Sequence, residues 1–199
     1  MTLIFSAIFL VWLPGPAAGL QFIGLEMGEW TKFLGVDTRR NWFYLPPITL
    51  GLMLVWLTLL PGLLPRRRWL QRALGVTVAL LAFPALEDVT GSLRGEYLPR
   101  VAAIGLVALA AAGAGVWERW RGGNGRLPLL WAGLLLPALV GLIFPTWIFL
   151  LVRPAAAQVM GQPLGIGPGV WLNGAGHLLI ILYGGHQLWL GWRGQPADR

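Results

Sequence analysis

The side chains that could perform acid–base chemistry are few in this chain, and they lie near the ends of apolar stretches. Glu87 and Asp88 are adjacent acids at the end of one stretch, and His177 follows Asn173 by four residues in another. Residues four apart share one face of a helix, so the amide and the imidazole should face the same neighbour. Carboxyl groups beside an imidazole can move protons as general acid and base. The spacing therefore predicts a polar pocket.

Two arginines extend this candidate pocket. Arg100 begins one apolar stretch and Arg153 ends another, on the side of a membrane where the two acids should also lie. The candidate binding residues are Glu87, Asp88, Arg100, Arg153, Asn173 and His177. Ionisable groups at such depth are costly to bury and often mark functional sites. A purely structural interpretation stays open, because adjacent acids project about 100° apart on a helix and either can pair with Arg94 or Arg100.

Metal and haem chemistry are not expected from this sequence. The chain has two histidines and no cysteine. His177 and His186 are nine residues apart, which places them on opposite faces of one helix at about 100° per residue. Thiolate and multi-histidine sites need more ligands than these. We therefore expect no cofactor.

The elements that must position these residues are six apolar stretches. Hydrophobic residues make up 56% of the chain and charged residues 12%, too little charge to coat a water-soluble globule. About 20 apolar residues in a helix cover the hydrocarbon core of a bilayer. The sequence predicts an all-α, polytopic transmembrane helical bundle without β-sheet, formed as one membrane domain over residues 1–199. The predicted spans are 2–25, 45–64, 69–89, 101–117, 127–152 and 170–192.

Two of the predicted spans are irregular. Pro14, Gly15 and Pro16 interrupt the first one, and prolines there should force a kink or an unwound turn. We expect this stretch to be a retained membrane segment and not a signal peptide, because no basic residue precedes it. The third span has only fourteen uncharged residues between Arg72 and Glu87, or roughly 21 Å of helix. Its two acids should therefore lie at the membrane edge.

The distribution of positive charge predicts the orientation. The side that would hold both termini carries nine Lys or Arg residues, and the other side carries six. Cytoplasmic loops are enriched in these residues, so both termini should be cytoplasmic and the membrane should be the plasma (inner) membrane.

The expected partners follow from the same distribution. The run Arg66, Arg67 and Arg68 should contact anionic lipid headgroups. Ala108 and Ala112 lie four apart on the fourth span, where small side chains let a partner helix approach closely. Nucleic acid is not expected, because the arginines lie at the ends of apolar stretches and form no stripe.

Three functions remain open from the sequence. The first is binding or transport of a small apolar or amphipathic molecule, through a pocket open to the outer leaflet. Broken helices and polar groups at membrane depth are typical of such sites. The second is a membrane enzyme acting on lipid or isoprenoid headgroups, with Glu87, Asp88 and His177 as acid–base groups. The third is a non-catalytic subunit or assembly factor of a membrane complex.

Overall fold

A computed structural model describes residues 1–15, 17–60, 67–92, 94–120 and 127–193. The chain is mostly helical. Its helices are α1 (Thr2–Phe9), α2 (Met27–Trp30), α3 (Leu45–Leu57), α4 (Arg68–Leu80), α5 (Leu86–Thr90), α6 (Arg94–Trp120), α7 (Leu127–Val159) and α8 (Pro168–Arg193). Three 3₁₀ segments, Ala18–Leu20, Thr31–Leu34 and Asp37–Tyr44, precede α3.

The helical class predicted from the sequence is confirmed, whereas the count of six spans is not. Two helical stretches are long and apolar enough to cross a membrane, Arg94–Trp117 within α6 and Pro128–Val159 within α7. The helix α8 coincides with the predicted sixth span to within two residues at its start and one at its end.

The prediction of a helical first span is wrong, as is that of a chain without strands. The helix α1 ends at Phe9, and the strands β1 (Val11–Leu13) and β2 (Phe22–Ile23) then pair in antiparallel fashion. The reason lies in the turn between them, where prolines lack the amide hydrogen that a helix needs. The chain thus turns back at this point instead of continuing as a helix.

The third and fifth predicted spans also differ from the observed helices. The third is divided, because α4 ends at Leu80 and α5 begins at Leu86. Pro84 lies in the gap, and a proline disfavours helical backbone in the residue before it. The fifth extends past Arg153 and Pro154 to Val159, since the alanines that follow Pro154 are strong helix formers.

The helix α3 is the centre of the bundle. It packs against α1, α4, α6 and α7, and α7 packs in turn against α8. The helices α3 and α4 cross at Gly51 and Gly75, where a Cβ on Gly51 would overlap the backbone oxygen of Gly75. By contrast, α6 and α7 make at most marginal contact with each other in the described parts of the chain. A gap between α6 and α7 therefore lies over α3.

The N-terminal hairpin is inserted into this bundle. The helix α1 packs along α8, with Ile4 against Gly176. Trp12 is 1% exposed, and its indole nitrogen donates to the Ala7 carbonyl over 2.8 Å. The carbonyl of Trp12 accepts from the Gly167 amide over 2.9 Å. The hairpin is thus held by the segment that leads into α8.

The small residues of α6 do not all face the bundle. Ala108 and Ala112 are exposed, whereas Val107 and Ala114 are buried against α3 and α4. Ala108 and Ala112 therefore do not pack against another helix of this chain, and the partner helix expected there stays a prediction. Their face is open in the single chain.

Candidate functional site

The structure distributes the six sequence-predicted residues over several places. Arg100 lies in a buried charge cluster on α6, and Asn173 and His177 lie together inside the bundle on α8. On α5, Glu87 is exposed and Asp88 is half-buried. Arg153 is half-buried on α7, and no ion pair joins it to an acid among the described residues.

The cluster around Arg100 is formed by two helical segments that face each other. The 3₁₀ segment Asp37–Tyr44 contributes Arg40, Asn41 and Tyr44, and the first turns of α6 contribute Glu96, Tyr97 and Arg100. In each segment the first and last of these residues are four apart. Residues four apart share one face of an α-helix. In α6 this spacing presents the acid and the arginine to the same neighbour.

One half of the cluster is the pair of Arg40 and Glu96. Nη2 of Arg40 lies 2.8 Å from Oε2 of Glu96 and donates to the Tyr97 hydroxyl over 3.0 Å. The amide nitrogen of Asn41 donates to the Glu96 carbonyl over 2.7 Å. These bonds attach the 3₁₀ segment to the start of α6.

The other half of the cluster surrounds Arg100. Its guanidinium lies over the ring of Tyr44, 3.8 Å from the ring centroid, and its Nη1 is 3.5 Å from Oε1 of Glu29. The Tyr44 hydroxyl donates to the same oxygen over 2.9 Å. Burial, followed by the negative charge of Glu29, raises the pKa of Tyr44 above its ordinary value. The phenol therefore stays protonated and remains a donor to Glu29.

These contacts do not use all the hydrogen-bond donors of the Arg100 guanidinium. The residue is 4% exposed, and neither its Nε nor its Nη1 has a hydrogen-bond partner in the parts of the chain that the structure describes. Oδ1 of Asn41 likewise lacks a partner there. Buried polar groups are nearly always hydrogen-bonded, and a buried charge without bonds is costly.

A cleft of about 420 Å³ lies beside these groups. Its polar wall is formed by Thr38, Asn41 and Arg100. Its apolar wall comes from the 3₁₀ segment Asp37–Tyr44 and from α3, α6 and α7, and consists of Trp42, Leu45, Ile48, Pro99, Ala103, Val140 and Phe144. This volume is near the lower end of the range for small-molecule sites, ~300–1,000 Å³, which are mostly apolar with a few polar groups.

A second buried polar group, formed by Thr49, Asn173 and His177, lies behind the cleft wall. Nδ1 of His177 is 2.9 Å from the Asn173 carbonyl, which can only accept, so Nδ1 carries a proton. Nε2 lies 3.3 Å from Oγ1 of Thr49. The Asn173 side chain donates to the Gly141 carbonyl over 3.1 Å. These bonds join α3, α7 and α8, which makes the group a tie between helices.

The tie requires a glycine on α7. A Cβ on Gly141 would overlap both Nε2 of His177 and Oγ1 of Thr49. Ile48 and Val140, the neighbours of Thr49 and Gly141 in the chain, line the cleft on the other side. The tie therefore fixes the spacing of the α3 and α7 walls.

Sequence reasoning found Arg100 but missed its partners. Glu29, Arg40 and Tyr44 lie before α3, and no spacing in the sequence links them to Arg100. No group of three or more His, Cys, Asp or Glu residues that could hold a metal ion is present within the described ranges.

Comparisons with protein-family models, with characterised proteins and with solved structures find no match to this chain. The geometry of the cleft is therefore the feature that bears on its function.

Proposed function

We propose that the chain is an integral membrane protein that binds an amphipathic small molecule in the cleft between α6 and α7. The observation that carries this proposal is Arg100, which is almost fully buried, lines a mostly apolar cleft and has two nitrogens, Nε and Nη1, without a hydrogen-bond partner among the described residues. A polar ligand head at this point would satisfy the guanidinium, and an apolar tail would cover the remaining walls.

The surroundings of the cleft support an amphipathic ligand. On α7, Leu136, Ile143 and Trp147 are exposed, and on α6 so are Leu106 and Leu109. Apolar side chains on this scale favour lipid as the surrounding solvent. Because α6 and α7 barely contact each other, a molecule in the membrane would reach the cleft sideways between them.

The proposed topology begins at α3. The eight residues of α1 would cover roughly 12 Å and are too few to cross a bilayer. The crossing segments in this proposal are α3, α4 with α5, α6, α7 and α8. We propose that the end of α8 lies in the cytoplasm, on the inner side of a plasma membrane, because the connectors on that side carry the excess of basic residues. Arg67 and Arg68 would then meet anionic headgroups on that side, while Arg66 lies outside the described residues.

The proposal is tested by filling the cleft. Ala103 lines it, whereas Ala102 is exposed on the adjacent face of α6. Ala103→Phe should abolish a stoichiometric amphiphile that co-purifies with the wild type, and the matched control Ala102→Phe should retain it. The measurement is mass spectrometry of small molecules extracted from protein purified in native-lipid particles. Equal amphiphile content in the two variants would contradict binding in this cleft.

A second candidate function, a subunit of a membrane complex, is favoured by the open face of α6. Ala108 and Ala112 are exposed together with Leu109, which is 72% exposed. Small residues allow close approach of another helix in lipid. Ala112→Leu should then remove a co-purifying protein without lowering the stability of the isolated chain. The enzyme alternative has no such support, since Glu87 is exposed and His177 is enclosed in the bundle.

A further inference from the structure

The charges in contact around the cleft do not cancel. The carboxylate of Glu29 is shared by two cations, Arg100 at 3.5 Å and Lys32 at 3.9 Å, while Glu96 pairs with Arg40. Three cations therefore face two carboxylates. No ion pair of Asp88 with these cations is present in the described part of the chain. Because Arg100 and Lys32 share one carboxylate, Arg100 has no carboxylate of its own.

The position of the excess charge is set by burial. The side chain of Glu29 is 42% exposed, so solvent screens it, whereas the side chain of Arg100 is 3% exposed. Screening weakens the attraction of an exposed carboxylate for a buried cation. Hydrogen bonds between an ionised donor and an ionised acceptor are about twice as strong as neutral ones. An anion in the cleft is thus better matched to Arg100 than a neutral head.

We infer that the cleft selects a single-chain amphiphile with an anionic head, a carboxylate or a phosphate, and that Arg100 determines this specificity. The inference rests on the proposed function and names its ligand class. One chain and not two follows from the volume of about 420 Å³. Oδ1 of Asn41 needs a donor, which a hydroxyl or a water that accompanies the anionic head supplies.

The apolar walls of the cleft indicate a ligand with a hydrocarbon chain and not a free anion. Leu45, Ile48, Ala103, Val140 and Phe144 offer no polar side-chain group. Arg100 and Asn41 lie at one end of this apolar surface, so head and tail have separate places. A free phosphate would leave the apolar walls uncovered.

The test uses the full chain in zwitterionic phosphatidylcholine nanodiscs and four probes: hexadecyl phosphate, palmitate, hexadecanol and inorganic phosphate. Equilibrium binding of each probe is measured by competition against a fluorescent fatty acid. The wild type should bind hexadecyl phosphate and palmitate at least about tenfold more tightly than hexadecanol, since a hydrogen bond to a charged group contributes about 1.5–3 kcal/mol. Inorganic phosphate should not compete.

Substitutions test whether Arg100 causes the preference for anionic heads over the neutral alcohol. Arg100→Gln should remove the preference, so that hexadecyl phosphate and palmitate bind no more tightly than hexadecanol. Arg39→Gln, the control, changes an exposed arginine and should leave the preference intact. Asn41→Asp places a negative charge on the same wall and should weaken anion binding about tenfold. If Arg100→Gln does not fold, two measurements still test the inference. They are the wild-type affinities for hexadecyl phosphate and palmitate compared with hexadecanol, and the anion affinity of the Asn41→Asp variant.

Three results would overturn the inference. If hexadecanol bound as tightly as palmitate, the inferred preference for an anionic head would be wrong, but the proposed binding of an amphipathic molecule would stand. Inorganic phosphate that competes as well as hexadecyl phosphate would indicate a site for a water-soluble anion. Absence of binding by every probe, together with no effect of Ala103→Phe on co-purifying amphiphiles, would refute the proposed function as well.

Discussion

The substitution Gly141→Ala tests whether the buried polar group behind the cleft ties the helices together. Its new methyl would overlap Nε2 of His177 and Oγ1 of Thr49. His177 is 0% exposed and Thr49 is 4% exposed, so neither side chain can swing into solvent. The methyl therefore has to push α7 away from α3 and α8, or break the contact between the imidazole and the hydroxyl.

The cost can be worked from these contacts. Overpacking a well-packed core costs about 1–3 kcal/mol, and leaving a buried donor or acceptor without its partner costs about 1–3 kcal/mol. A single outward shift of α7 would relieve part of the overpacking and would also be what breaks the hydrogen bond, so the two costs overlap. We therefore expect a loss of about 2–4 kcal/mol in the free energy of unfolding. For a chain of this length each kcal/mol lowers Tm by roughly 2–4 °C. The expected fall in Tm is therefore roughly 4–16 °C.

The assay is thermal unfolding in one detergent, followed by far-UV circular dichroism. The matched control is Gly185→Ala on α8, where a Cβ would meet nothing within 4 Å. Alanine has the higher helix propensity, by about 1 kcal/mol, so the control should be neutral or slightly stabilised. Both variants make the same chemical change within a helix. Only the space around the new methyl differs.

The result that would refute this reasoning is a Gly141→Ala variant that unfolds at the temperature of the control. A double variant sharpens the test. In a His177→Ala background the imidazole is absent, so Gly141→Ala should lose most of its additional cost. An undiminished cost there would assign the effect to Thr49 or to the backbone of α7.

Three further outcomes are expected. Arg40→Gln removes a buried guanidinium from a carboxylate and a phenol, and should lower the free energy of unfolding by about 1–3 kcal/mol. Lys32→Gln, at an exposed ion pair, should lower it by under about 1 kcal/mol. Equal losses of the two variants in thermal unfolding would contradict this expectation. The raised pKa of Tyr44 means that the folded chain keeps a proton which the unfolded chain releases above about pH 10. Stability should therefore fall as pH rises above that value, and Tyr44→Phe should reduce the fall in alkaline unfolding measurements; an identical decline in both proteins would count against it. Because the chain has no cysteine, Thr90→Cys can be labelled selectively in intact cells, and it should react with an impermeant reagent from outside; labelling from the cytoplasm alone would reverse the proposed orientation.

The helices α6 and α8 could be predicted from the sequence because charge or proline marks their limits, whereas α7 continues past Arg153 and Pro154. Arg94 and the basic residues near Arg119 bracket α6, and Pro168 and Arg193 bracket α8. The hairpin could not be predicted, since its strands have two and three residues, too short for an alternating pattern. Their pairing depends on cover by α7 and α8, which local sequence does not encode.

The candidate site was only partly predictable for a related reason. Asn173 and His177 share a helix, so their spacing alone placed them together. The contact of Arg100 with Glu29 and Tyr44 joins residues 71 and 56 positions apart in the chain. No periodicity links such positions. The gap between α6 and α7 depends on which faces of three helices meet, and a hydropathy pattern does not resolve those faces when nearly every position is apolar.

The insertion of the N-terminal hairpin has a consequence for the order of biogenesis. Trp12 is synthesised 155 and 157 positions before Gly167 and Gly169, yet its carbonyl bonds to Gly167 and its ring lies against Gly169, at the start of α8. In the proposed bilayer location, peptide groups cannot be left unsatisfied. The hairpin could then reach its final position only after α8 has been made. The hairpin residues would have to stay in water, or with a protective insertion factor, until α8 has left the ribosome.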